Sequence, residues 1–221
     1  MLQVRGSKAG TEQEFTANDD SGNKLFSGRL REAGREKGRL EAVVRDRLTE
    51  ERYAHVLAVR DCAAKLAELY GVDREKAELA GVLHDYARDL PGEVLLSLAE
   101  ERGIPFSEID RKVPILLHGP VGAALVREEL GVENPEVLDA IALHTLGGAG
   151  MSMLAKIVYV ADIIAADRDF PGVNRLRQLA GEDLDRALVE CLATTLRYCL
   201  ERRRLIHPQT ITAWNYYCLR D

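Results

Sequence analysis

From Leu40 to the end of the chain, apolar side chains recur every three or four positions, and the runs are cut by caps, glycines and prolines. That spacing lines one face of an α-helix, and no segment carries the two-residue alternation of a half-buried strand between turn signals. Leu40, Val43, Val44 and Leu48 open the pattern. Thr49 caps a second helix, with Arg52 as its third residue, that runs to Tyr70 and stops at Gly71. Asp73 caps a third, reaching Tyr86 to Asp89 and ending before Pro91. Further helices are predicted from Pro91 to Arg102, from Ser107, from Pro120 to near Gly131, and from Asn134-Pro135 to Gly147-Gly148. Ser152 caps a long one through Ala166, Glu182 to Glu201 forms another, and Thr210 caps the last. The expected fold is all-α: a single helical-bundle domain over residues 38–221, with no internal repeat.

Residues 1–37 stand apart. The first forty positions hold eight Lys and Arg against six Asp and Glu, only 11 apolar residues, and scattered glycines. Such a stretch buries too little surface to offset its chain entropy, so residues 1–37 are expected to be a disordered extension. The whole chain, with a net charge of -6 and a pI of about 5.5, lacks the basic surface of a general nucleic-acid binder. Neither a secretory leader nor a membrane span is evident, and the four cysteines form no CxxC pair. A cytoplasmic protein with reduced thiols is the simple account.

The chemistry lies in polar residues on apolar faces. His55 shares a helix face with Val59, Cys62 and Leu66, His84 with Ala77, Ala80 and Gly81, and His144 with Val137 and Ile141. Asp85 follows the apolar run Leu79–Leu83, and Asp162 interrupts the run Ile157–Ala166 with no Lys or Arg one turn away. One inward histidine is ordinarily a core residue bonded to a carbonyl. Buried carboxylates cost several kcal/mol unless paired or cation-bound. Three inward histidines and two inward carboxylates on separate helices are satisfied together by one divalent metal.

Read in order, His55, His84-Asp85 and Asp162 give H…HD…D, the pattern of the HD-domain phosphohydrolase superfamily, which this sequence resembles. Arg52-Tyr53-Ala54-His55, Leu83 to Arg88, Leu117-His118-Gly119, His144-Thr145, Ala161 to Ile164 and Ile206-His207-Pro208 extend the resemblance to the YqeK family over residues 40–221. That family hydrolyses diadenosine tetraphosphate symmetrically to two ADP. Arg88 stands where the family usually has Lys, and Leu146 where it often has a second Thr.

The resemblance implies that His55, His84, Asp85 and Asp162 hold an iron-type metal, with manganese or cobalt as substitutes. Asp85, His118 and His144 would be catalytic, the two histidines binding a second metal or phosphate. Arg52, Arg88 and Arg168 would neutralise phosphate oxygens, although Arg52 also suits a solvated face and Arg168, between Asp167 and Asp169, a surface ion pair. Asp89, Leu90 and Pro91 would line the phosphate end beside Thr145, and Leu205, Ile206, His207, Pro208, Gln209 and Thr210 would close over the nucleoside. The implied reaction is hydrolysis by metal-activated water, with a dinucleoside polyphosphate as substrate, ADP as product and a homodimer as assembly. The alternatives are another HD nucleotide phosphohydrolase or phosphodiesterase, or a non-catalytic nucleotide binder.

Overall fold

The computed structural model describes residues 38–220. Every regular element among them is helical, in agreement with the periodicity: α1 (38–47), α2 (Glu50–Leu69), α3 (Arg74–Leu83), α4 (Gly92–Glu101), α5 (Glu108–Lys112), a 3-10 turn at Pro114–Leu117, α6 (His118–Leu130), α7 (Pro135–Leu143), α8 (Met153–Ile164), α9 (Val173–Glu182), α10 (Leu184–Glu201) and α11 (Pro208–Cys218). The expected extension at 1–37 lies outside the described residues.

Five caps are those the sequence announces. Thr49 accepts from the backbone N–H of Arg52, and Asp73, Ser107, Asn134 and Ser152 each accept from the first turns of α3, α5, α7 and α8. α8 is apolar on nearly all sides, from Leu154 through Ile164, and is therefore the helix the others surround. It packs against α2, α3, α7, α9 and α10. No described helix is long and apolar enough to cross a membrane.

Two glycines set the closest approaches. A Cβ on Gly81 of α3 would lie 2.8 Å from the Arg60 Cα of α2, and one on Gly119 of α6 would lie 2.8 Å from the Ala142 carbonyl of α7. Small residues at these points bring together the helices that carry His55, His84, His118 and His144.

Several boundaries differ from expectation. α3 ends at Leu83, and residues 84–89 form successive turns, closed by Tyr86 N–H to Leu83 O, Arg88 N–H to Asp85 O and Leu90 N–H to Ala87 O. His84 and Asp85 thus stand just past a helix rather than inside one. Likewise α7 stops at Leu143, before His144, and α6 begins at His118, two residues earlier than Pro120. The last helix is capped by the His207 side chain, which accepts from the Gln209 N–H, with Pro208 in the first turn, so Thr210 lies inside it. The helix α9 is an addition; its buried Val173, Leu176 and Ala180 keep helical spacing but follow Pro171-Gly172, which reads as a loop.

Candidate active site

Four histidines and two carboxylates meet between α2, α3, α6, α7 and α8. Three of the imidazoles are oriented by their own chain. His84 Nδ1 donates to Gly81 O at 2.8 Å, His118 Nδ1 to Ile115 O at 2.5 Å and His144 Nδ1 to Ile141 O at 2.7 Å. Each acceptor lies three residues back; Gly81 O and Ile141 O are among the last carbonyls of α3 and α7, and Ile115 O also accepts the His118 backbone N–H. His55, in mid-helix, donates Nδ1–H instead to Asp167 Oδ2 at 2.8 Å. All four Nε2 atoms are left to face inward.

Their spacing suits a cation. His118 Nε2 and His144 Nε2 are 2.9 Å apart, and both Nδ1–H groups are already committed to carbonyls. Two neutral imidazoles so arranged point lone pairs at each other. His55 Nε2 lies 2.8 Å from Asp162 Oδ1. Two ligands about 2.1 Å from one metal and at right angles to each other are about 3 Å apart. His84 Nε2 is fully buried with no hydrogen-bond partner, and its nearest carboxylate oxygen is Asp85 Oδ2 at 3.4 Å. A buried orphan of this kind calls for a ligand. Two donor groups, His55–His84–Asp85 and Asp85–His118–His144, have the compactness of a metal site. Asp85 belongs to both, turning Oδ2 to His84 and Oδ1 to His118 at 3.2 Å and His144 at 3.6 Å. The chemistry of these groups fits a divalent metal.

Electrostatics follow from the crowding. Burial works against the Asp85 charge, but His84, His118 and His144 outweigh it and hold the carboxyl well below the ordinary range. Asp162 is lowered in the same way, against burial, by His55, His84 and Arg168. Burial also opposes charge on His84, yet Asp85 and Asp162 raise its pKa. For His144, burial with the neighbouring His118 and His84 wins over Asp85, and its pKa falls.

A cavity of about 220 Å³ opens onto these groups. Arg52, Arg88 and Arg168 line it together with Asp85, Asp162, His118, His144 and Thr145. Arg52 Nη1 donates to Asp85 Oδ2 at 3.1 Å, and Arg168 Nη2 to Asp162 Oδ1 at 2.6 Å, so both guanidiniums face the site rather than solvent alone. Thr145 Oγ1 lies 3.1 Å from His144 Nε2 and 3.2 Å from His118 Nε2.

Other expected residues lie outside that lining, His55 and His84 among them, which are buried behind it. Asp89 accepts from the Thr49 N–H and joins the start of α2 to the turns after Asp85; Leu90 packs on the core, and Pro91 precedes α4. Residues 205–210 stand behind the wall. Gln209 donates to Gly147 O at 2.6 Å, Thr210 to Leu146 O at 3.1 Å, and His207 Nε2 meets Asp110 Oδ2 at 3.3 Å. Leu205 is exposed, and Ile206 and Pro208 make no polar contact with the cavity. Ile163 and Thr195 line the cavity without having been expected there. Ile163 adjoins Asp162 and was within reach of inference; Thr195 on α10 has no local signal.

The HD domain family profile matches residues 52–167, which span all four elements that carry His55, His84-Asp85, His144 and Asp162. The chain belongs to the HD domain family. The symmetrical bis(5'-nucleosyl)-tetraphosphatase of Bacillus subtilis is 41% identical over 175 residues, covering 79% of this chain and 94% of that protein. The protein of the same name from Halalkalibacterium halodurans is 40% identical, covering 84% of this chain and 98% of its own. The crystal structure of a Clostridium acetobutylicum protein described as a predicted HD superfamily hydrolase involved in NAD metabolism superposes with a TM-score of 0.82 at 38% identity. It spans 84% of this chain and 98% of that one. Within the HD domain family, the chain belongs with the symmetrical bis(5'-nucleosyl)-tetraphosphatases.

Proposed function

We propose that this protein hydrolyses diadenosine tetraphosphate at its centre, giving two ADP, in a metal-dependent reaction. The observation that carries the reading is the cluster of four imidazole Nε2 atoms and two carboxylates, of which Asp85, Asp162, His118 and His144 line a cavity walled by Arg52, Arg88 and Arg168. The names of the relatives support the substrate. His55, His84, Asp85 and Asp162 would hold one cation, which leaves Nε2 of His118 and His144 free of metal in this reading. Iron is the metal of this reading, and the same donors accept manganese or cobalt. When bound, the cation lowers the pKa of a water and offsets negative charge on the phosphates.

The chain's own groups supply the rest. Arg52, Arg88 and Arg168 bind phosphate oxygens, for which a planar, permanently charged fork is well suited. Water oxygen bonds to the second phosphorus, and the bond from that phosphorus to the bridging oxygen of the third breaks. The proton that water gives up goes to Nε2 of His118 or His144. Their Nδ1–H groups are already bonded, so as neutral rings they accept there and do not donate. Asp85 orients the water.

A cavity of about 220 Å³ is smaller than the hollows of roughly 300–1,000 Å³ that enclose whole drug-sized ligands. It takes the central phosphates and leaves the nucleosides along its rim. Residues 205–210 then act through the 145–147 turn they brace. The same reading makes the protein cytoplasmic, with its four cysteines free, and a homodimer that sedimentation would register.

The test is product analysis on diadenosine tetraphosphate with iron-loaded protein, beside His84→Ala. ADP alone, absent in the variant, is the expected result. AMP with ATP would refute the central cut. No turnover with metal bound would turn the reading to a nucleotide binder.

A further inference from the structure

Four histidines gather around Asp85 and Asp162, and one is held differently. His84, His118 and His144 follow helix or turn ends, and each Nδ1 uses the carbonyl three residues back. His55 lies inside α2, where the helix consumes its own carbonyls, so its Nδ1 partner must come from elsewhere. That partner is Asp167, at 2.8 Å, from the segment that follows α8. The segment is itself pinned. Arg177 of α9 donates to Ile164 O at 2.9 Å, Ala165 O at 2.7 Å and Arg168 O at 2.8 Å, and the Arg168 N–H closes a turn on Ala165 O.

We infer that Asp167 is a positioning residue for the metal site: it fixes His55 with Nδ1 protonated and Nε2 turned to Asp162, and its charge strengthens that nitrogen as a donor. The inference rests on the metal reading above. It concerns a residue that need not touch metal or substrate. An anionic acceptor behind a ligating imidazole fixes its tautomer and its orientation, and removing such a partner costs about 10–100-fold in metal affinity.

The test is a titration of metal-stripped protein with Mn2+, read from the EPR signal of the free ion. Wild type is compared with Asp167→Ala, Asp167→Ser, Asp167→Asn and Asp169→Ala. The Asp167 side chain is 38% exposed on a loop, so the removing variants should fold; melting of each metal-free protein checks this, and either one with a wild-type melt suffices. The expected result is a Kd raised about tenfold or more for the Ala and Ser variants. Asn, which keeps an acceptor oxygen but not the charge, should recover part of the loss, and Asp169→Ala should match wild type. Wild-type affinity in a folded removing variant would overturn the inference. So would an equal loss in Asp169→Ala, which would reduce the effect to general charge. No Mn2+ uptake by wild type would instead overturn the metal reading, and this inference with it.

Discussion

The two walls of the histidine–carboxylate cluster are built by opposite rules. On the inner wall, His84, His118 and His144 each follow a leucine at the end of a helix or turn, and each imidazole bonds the carbonyl three residues back. Orientation there is a property of a four-residue segment. On the outer wall nothing is local. His55 depends on Asp167, 112 positions away, Asp162 pairs with Arg168, and Arg177 ties down the chain between them. A self-orienting wall tolerates change in its neighbours. A wall assembled across the sequence transmits it.

The sharpest way to break this contrast is at the residue both donor groups share. Asp85→Ala removes the carboxylate between His84 and the His118–His144 pair. Turnover of diadenosine tetraphosphate should fall by on the order of 10³-fold, as for loss of a group acting directly on the reacting centre. Circular dichroism should be unchanged, because the three imidazoles keep their backbone acceptors. A large loss of helix would mean that the inner wall is not self-supporting.

The same contrast governs what could be read in the sequence. Caps such as Asp73, Asn134 and Ser152 are short-range chemistry, and they fall where the residues announce them. Asp162 stood out because a carboxylate within Ile157–Ala166 has no local partner. Asp167 did not stand out, since beside Arg168 and Asp169 it reads as a surface charge; only the approach of α2 to the end of α8 gives it a role. Helices end at Leu83 and Leu143, earlier than the sequence predicts, for a related reason. The apolar pattern runs on past both, and the imidazoles of His84 and His144 close the helix ends themselves.

A second test sharpens the packing side. Gly119→Ala would set a Cβ 2.8 Å from Ala142 O and push apart the elements holding His118 and His144. A cost of about 1–3 kcal/mol is expected. At about 2–4 °C per kcal/mol for a chain of this size, that is visible in a thermal melt. Activity should fall with it. Gly122→Ala on the same helix meets Ala87 only at 3.6 Å, an ordinary contact, and should melt close to wild type. Equal effects at the two positions would remove close approach as the explanation.

On the outer wall, Arg177→Met deletes three bonds to backbone carbonyls while keeping much of the side chain's bulk. The 165–168 segment loosens, and with it Arg168. We expect a rise in KM of about tenfold, with kcat changed less, because uniform phosphate binding is what that guanidinium would lose. The split between KM and kcat is the readout. An unchanged KM would mean that Arg168 keeps its place without the brace.

The smallest effect is expected behind the wall. Asp110 is buried at the start of α5, accepts from the Ser107 N–H and hydroxyl, both at 2.7 Å, and meets His207. Burial raises its pKa, but the Ser107 bonds and His207 outweigh that and lower it below the ordinary carboxylate value. A lowered folded-state pKa means the ionised group stabilises the fold above its unfolded pKa of about 3.9, and the benefit is lost as pH falls through the folded value. Asp110→Asn should therefore cost about 1 kcal/mol at neutral pH. The gap to wild type in urea midpoint should close as the pH is taken below about 4. A gap that stayed constant with pH would mean that shape, and not charge, fixes the junction between α5 and α11.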